Sequence, residues 1–189
     1  MAKRVFAGID EVGRGCLAGP VISCALILKN SINKKILKDS KTISFKDRAK
    51  IAEYIKKNSW YAIGAASVNE IDKYNIFNAT LLSMERAVKK LKKKPYLFLI
   101  DGTHAPKKIK NSKTVIKGDK KIKCISAASI VAKVYRDNYM TKLGNKFPQY
   151  KWDKNFGYGT CQHLGALKKF GVTDYHRKSY RPVHNILSR

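Results

Sequence analysis

Val5-Phe6-Ala7-Gly8-Ile9-Asp10-Glu11-Val12-Gly13-Arg14-Gly15 ends a short apolar run in two adjacent carboxylates and follows them at once with a glycine–arginine–glycine turn. Val5–Ile9 reads as a buried strand. Acids at the end of such a strand are costly to desolvate unless a positive charge compensates them. The rest of the chain is strongly basic: 40 Lys and Arg stand against 13 Asp and Glu, a formal net charge of +27 in 189 residues. That excess implies a polyanionic partner, most often nucleic acid. A bias toward lysine codons would produce the same Lys-Lys pairs, so charge alone supports nucleic-acid affinity and nothing finer. Acids gathered at one strand end of such a chain point to a cation site beside a loop that approaches a phosphate backbone closely.

Outward from this stretch, Pro20–Leu28 reads as a second strand, dense in Val21, Ile22, Ala25, Leu26, Ile27 and Leu28. The glycine-rich loop Gly13–Gly19 is short enough to make the two strands antiparallel neighbours. Ser44 is a good N-cap, with Asp47 three positions on, for a helix whose Phe45, Ala49, Ala52 and Ile55 share a face and which ends at Asn58-Ser59. Trp60–Val68 is a third strand. Asn69–Leu91 is helical in two pieces broken near Tyr74-Asn75, with Leu81, Met84, Val88 and Leu91 as the stripe of the second. Tyr96–Ile100 is a continuous apolar run of the kind buried on both faces, and it ends at Asp101-Gly102. Thr114–Ile116 is a short edge strand, and Ile125–Phe147 a long helix buried in its first half. From Pro148 the tail is loop with one short helix near His163–Phe170. The order β, β, α, β, α, β, β, α predicts an α/β fold. Its mixed five-stranded sheet starts as a meander, continues through helix crossovers and carries helices on its faces. The length favours a single domain, 1–189.

Cys16, Cys24, Cys124 and Cys161 show no C-x-x-C spacing, which argues against zinc and fits a reducing compartment. Met1-Ala2-Lys3-Arg4 leads directly into the first strand without a signal-peptide core, and no apolar run approaches the ~20 residues that span a bilayer. The expectation is a cytoplasmic protein with no membrane association.

Asp10, Glu11 and Asp101 each follow an apolar strand core. If their strands are parallel neighbours the acids share the carboxyl edge where open α/β sheets place their sites. Asp137 falls near the helical line of Ile130 and Val134 and is the fourth candidate. Several acids around one point raise one another's pKa, and Mg²⁺ or Mn²⁺ relieves that. Two such ions ~3.5–4 Å apart suit phosphodiester hydrolysis. Each acid has a plainer reading: Asp101 before Gly102 starts a turn, and Asp137 pairs with Arg136 or Lys133. Glu11 points to the opposite sheet face from Asp10 unless the strand ends there. On the residues alone a metal nuclease stands somewhat ahead of a plain nucleic-acid-binding domain.

These residues resemble the type 2 ribonucleases H, ribonuclease HII. The resemblance lies in Gly8–Gly15 running on to Ala18-Gly19-Pro20-Val21, in Asp39-Ser40-Lys41, in Ile100-Asp101-Gly102, and in Ala127–Asp137. It continues in Gly157-Tyr158-Gly159-Thr160 with His163 and in His176–Val183. Five motifs in order over nearly the whole chain make it specific. It implies a ribonuclease H-like fold, with a C-terminal segment, 148–189, that contacts substrate. It also implies hydrolysis of RNA in RNA–DNA hybrids, and incision 5′ of single ribonucleotides in duplex DNA to leave a 3′-hydroxyl and a 5′-phosphate. That activity belongs to ribonucleotide excision repair and DNA replication. By the same resemblance Asp10, Glu11, Asp101 and Asp137 carry two Mn²⁺ or Mg²⁺ ions. Gly13, Arg14 and Gly15 read the 2′-hydroxyl, Tyr158 stacks on the following deoxyribose, and Lys41 contacts substrate. Thr42-Ile43 and Gly159 depart from the family pattern without touching the acids. No extra N-terminal domain of the ribonuclease HIII kind and no sliding-clamp peptide is expected, nor an obligate protein partner, and a monomer is the default. The alternatives are a non-catalytic basic binder of structured nucleic acid and another nuclease of the same fold.

The lysine runs at 89–94 and 107–123 read as duplex-path contacts or as solvated faces. Asp119 in Lys117-Gly118-Asp119 reads as a turn residue before it reads as a further acid. His163 and His176 read as packing before they read as proton-transfer groups, and Trp60 and Trp152 read as core or surface-covering aromatics.

Overall fold

The computed structural model describes residues 4–29 and 45–188. β1 (Phe6–Val12), β2 (Val21–Leu28) and β3 (Ser59–Ala66) form an antiparallel meander. β4 (Leu97–Asp101) joins β1 in parallel and β5 (Ser112–Val115) joins β4 in parallel, so the mixed five-stranded sheet runs β3-β2-β1-β4-β5. α1 (Phe45–Lys57) and α4 (Lys123–Lys146) cover one face: Ile22, Cys24 and Leu26 pack there against Ala52, Ile55, Ala127 and Val131. α2 (Val68–Lys90) covers the other, where Ile9, Ala25 and Ile100 meet Met84 and Ala87. Strand alternation therefore sends Gly8 and Asp10 toward α4 and Ile9 and Glu11 toward the α2 side. Asp39-Ser40-Lys41 and the Ser44 cap lie outside the described residues.

The break expected near Tyr74-Asn75 is present. Asn75 takes φ 64°, and its side chain accepts from the Asn78 N–H at 3.0 Å, capping the second piece of α2. Several expectations are corrected. β1 continues past both acids to Val12, because β2 goes on pairing with it after its last β4 pair, Ile9–Ile100. β3 stops at Ala66, since Ser67 and Glu70 form a capping box that starts α2 one residue early, at Val68. β4 is buried on both faces only at Ile100, because α4 lies over β1 and β2 and leaves Leu99 beside an open groove with Ile116 and Ile122. The tail holds more helix than expected: α5 (Trp152–Asn155), α6 (Cys161–Phe170) and α7 (Arg181–Leu187), the last entered through Pro182. These helices build a second core of Tyr150, Trp152, Leu167 and Val183 with Leu17, Ala18 and Met140. Trp60, by contrast, is half-exposed between Lys29 and Lys93.

The contact that places the site is at Gly8. A Cβ there would collide with the main chain of Cys124 and Ile125, so the start of α4 rests directly on the β1 backbone two residues before Asp10. Gly8→Ala is expected to cost about 2 kcal/mol or more, because main chain cannot move aside as a side-chain end can. An unchanged urea midpoint would contradict this contact.

Candidate active site

Asp10 is 5 % exposed. Its Oδ1 accepts from the Glu11 N–H at 2.8 Å, and Ser129 of α4 hydrogen-bonds the carboxylate from the side. Asp101 leaves the neighbouring parallel strand one residue after Ile100, which pairs with Ile9, so the two acids emerge side by side. Asp101 Oδ1 accepts from the Gly118 N–H at 2.6 Å and the Asp119 N–H at 3.3 Å at the start of α3 (Gly118–Lys121). Glu11 lies beyond the last β1–β4 pair, which lets its carboxylate act at the same strand end despite alternation. Its Oε1 accepts from Arg14 Nη1 at 3.2 Å, while Oε2 is buried without a hydrogen-bond partner.

Burial, then the charge of Glu11 and less strongly that of Asp101, hold the Asp10 carboxyl well above the usual carboxylate range. Burial also raises Glu11, against the opposing pull of Arg14. The donors are hard oxygens, they repel one another, and one buried oxygen lacks a partner. A divalent cation fits that chemistry. Among the described residues no three His, Cys, Asp or Glu side chains are gathered closely enough to hold a metal ion as they stand.

Asp137 is 1 % exposed and pairs with Lys133 at 2.8 Å, the salt-bridge reading of the sequence. Ser129, Lys133 and Asp137 succeed one another by four residues, so Asp137 lies about 12 Å along α4 from the Asp10 contact. Lys133 Nζ lies 5.0 Å from the ring centroid of Phe156 and 5.8 Å from that of Tyr158, which puts this pair on the Tyr158 side of the site. Asp119, which the sequence reading ranked as a turn residue ahead of a further acid near the site, has its N–H on Asp101. Its signal was Lys117-Gly118-Asp119 directly after the edge strand.

The loop from Gly13 to Pro20 is held from beneath by two buried arginines. Arg177 donates to the carbonyls of Gly13 at 2.6 Å, Arg14 at 2.8 Å and Gly19 at 2.9 and 3.0 Å. Arg136 donates to Ala18 at 2.9 Å, Pro20 at 3.0 Å and Phe156 at 2.8 Å. Gly13 takes φ 92° and a Cβ there would strike Arg136, so the position requires glycine. Gly15 faces open space, and the Arg14 side chain is half-exposed. Tyr158 is 40 % exposed beside this loop. Its hydroxyl bonds the Cys16 thiol, and the Gly157 carbonyl accepts from the N–H groups of Leu17 at 2.8 Å and Ala18 at 3.3 Å.

A mixed sheet with carboxylates at the ends of adjacent parallel strands, in a chain of charge +27, defines a carboxylate-centred nuclease of ribonuclease H-like fold. Residues 7–183 match the family model of ribonuclease HII, and the chain belongs to that family of endoribonucleases. It is 57 % identical over 186 residues to a ribonuclease HII of Pelagibacter ubique, covering 97 % of this chain and 100 % of the relative. Its fold is similar to that of the ribonuclease H2 crystal structure from Pyrococcus horikoshii, with a TM-score of 0.83, 23 % identity and 98 % of each chain covered. It is also similar to the Mn²⁺ complex of Bst-RNase HIII, with a TM-score of 0.78, 16 % identity, and 98 % of this chain and 70 % of that one covered. Among the described residues no helix is long and apolar enough to cross a membrane.

The folded protein binds the Asp10 proton more tightly than the unfolded chain does. This group's contribution to stability is therefore full below 3.8, the ordinary value of the carboxyl in the unfolded chain, and is lost as pH rises through the raised folded value. At pH 7 without metal, Asp10→Asn is expected to raise Tm by about 2–4 °C, the effect of about 1 kcal/mol in a chain of this size. Added Mn²⁺ should raise the wild-type Tm more than that of the variant. A lower Tm for the metal-free variant would count against a strained carboxylate.

Proposed function

We propose that this protein cleaves the RNA strand of RNA–DNA hybrids and incises duplex DNA 5′ of single ribonucleotides, leaving a 3′-hydroxyl and a 5′-phosphate. The observation that carries this reading is the junction of two features. Asp10 and Asp101 each directly follow the last pair, Ile9–Ile100, of two adjacent parallel strands, and the Gly13-Arg14-Gly15 loop begins two residues after Glu11. Asp10, Glu11 and Asp101 would hold Mg²⁺ or Mn²⁺, two ions in the active complex. Asp119, beside Asp101, is better placed than Asp137 to be the fourth acid. When bound, the metal lowers the pKa of an attacking water and stabilises the leaving 3′-oxygen.

The chain's own residues supply the selection. Glycines at 13 and 15 let main-chain groups approach a ribose, whose 2′-hydroxyl is what separates RNA from DNA. Arg14, tethered to Glu11, links the acids to that loop and adds a phosphate contact. The Tyr158 ring packs on the next sugar, where an extra hydroxyl would not fit, and so favours a junction with DNA. Asp137 orients Lys133 under that ring. Lys41 contacts the phosphate backbone, and the segment 148–189 contacts the duplex within a single catalytic domain acting as a monomer.

An incision assay on duplex DNA carrying one ribonucleotide, with all-DNA and all-RNA controls, in Mg²⁺, Mn²⁺ or EDTA, decides the reading. The expected result is metal-dependent cutting only 5′ of the ribonucleotide. Binding without cutting would make the chain a non-catalytic binder, and cutting of all-DNA would remove the account of specificity. Asp10→Asn or Asp101→Asn should abolish turnover with duplex binding retained. Asp119→Asn should reduce kcat by at least about 10²-fold, the scale of a lost electrostatic contact in a transition state. Asp137→Asn should lower kcat less, and the reverse ranking would restore Asp137 to the metal group.

A further inference from the structure

His163 and His176 belong to neither the acids nor the reading loop, and both are fully buried. Their protons are placed by the donors around them. The Thr173 N–H donates to His176 Nδ1 at 3.0 Å, so His176 carries its proton on Nε2. Trp152 Nε1–H donates to His163 Nε2 at 3.0 Å, so His163 carries its proton on Nδ1. The rings meet Nε2 to Nε2 at 3.1 Å, where His176 donates, so the single lone pair of His163 Nε2 is shared between the Trp152 and His176 N–H groups. His163 Nδ1–H then donates to the carbonyl of Tyr158 at 2.9 Å. The donors run one way, from the main chain of Thr173 to the main chain of Tyr158.

A second proton on either ring breaks this order, because it places a donor against a donor. Burial opposes that event: it lowers both imidazoles, His176 to about 3 with the charge of His163 adding to the effect. Aromatic walls stop the rings from turning, with Tyr150 and Trp152 centroids 4.9 and 5.1 Å from that of His176. The Thr160 N–H also donates to the Tyr158 carbonyl, at 2.9 Å, so two donors fix that peptide plane while the ring stays outside. Buried polar rings cost stability unless fully bonded, and apolar side chains would fill this core at lower cost. What the polar pair adds is a directed bond to one carbonyl.

We propose that His163 and His176 are positioning residues, a neutral one-directional imidazole relay that holds the 157–159 turn and thereby sets the Tyr158 ring for junction discrimination. The proposal rests on the Tyr158 reading above. His163→Leu removes the donor to Tyr158, and His163→Asn keeps an amide donor near the Nδ1 position. Each is made alone and with Tyr158→Ala. The readout is the ratio of kcat/KM on a single embedded ribonucleotide to kcat/KM on a uniform hybrid, with Tm measured alongside.

His163→Leu should lower the ratio roughly tenfold, the scale of one hydrogen bond, and His163→Asn should restore most of it. In the Tyr158→Ala background His163→Leu should lower the ratio no further. Equal losses on both substrates, or an additive loss with Tyr158→Ala, would overturn the relay and leave the Tyr158 reading standing. An unchanged ratio for Tyr158→Ala alone would overturn that reading and this proposal with it. Should the leucine variant fail to fold, ¹⁵N NMR of the wild-type imidazoles at pH 7 decides instead. The Nδ1–H form of His163 with the Nε2–H form of His176 supports the relay, and any other pair of tautomers, or an imidazolium, overturns it.

Discussion

Two guanidinium groups taken out of water hold this molecule's site together. Burying a cation costs several kcal/mol even after relaxation. Arg136 and Arg177 recover it through main-chain carbonyls rather than carboxylates, and most of those carbonyls belong to the loop between β1 and β2. Bonds to main chain specify the path of a loop whatever its side chains are. Gly15, which faces open space, can then be chosen for access rather than for rigidity, and the C-terminal segment becomes the floor of a site whose acids include two from the first strand.

The acids obey the opposite arrangement. Asp10 and Glu11 are desolvated beside each other and Asp101, with little positive charge in contact apart from Arg14. In a chain of +27 that restraint is informative. The strain is local, it faces the strand ends, and it is the kind that a hard cation removes. Charge of one sign lies spread over the surface for a polyanion, while charge of the other is concentrated where that polyanion's backbone would be cut.

Local pattern made much of this legible. Apolar runs marked β1, β2 and β4, the short loop after Arg14 implied the antiparallel pair, and Asn75 announced the break in α2. Asp10 and Asp101 stood out because each closes an apolar run, and their strands prove to be parallel neighbours. Reading ran out where tertiary partners decide. Asp137 fits an apolar helical line, but periodicity does not say how far along the helix the acids lie, and in the structure it pairs with Lys133 one turn back, a partner the sequence also offered. Asp119 looked like a turn residue because its approach to Asp101 is made across β5. The Ser67–Glu70 capping box was readable and would have ended β3 correctly. The tail could not be read as a core, since Trp152, Tyr150 and the two histidines acquire their roles only by packing on one another.

The reach of Arg177 has a consequence for how the protein is made. It bonds carbonyls 158 to 164 positions earlier in the chain. During synthesis the first strand and its acids leave the ribosome long before the residue that shapes the loop beside them. At about 5–20 residues per second, that interval lasts on the order of ten seconds or more. Throughout it the nascent chain, already basic and already carrying the carboxylates, lacks the bonds that hold the 13–20 loop in its folded path. That path is completed only when Arg177 emerges, so the same contacts that build the site also time it.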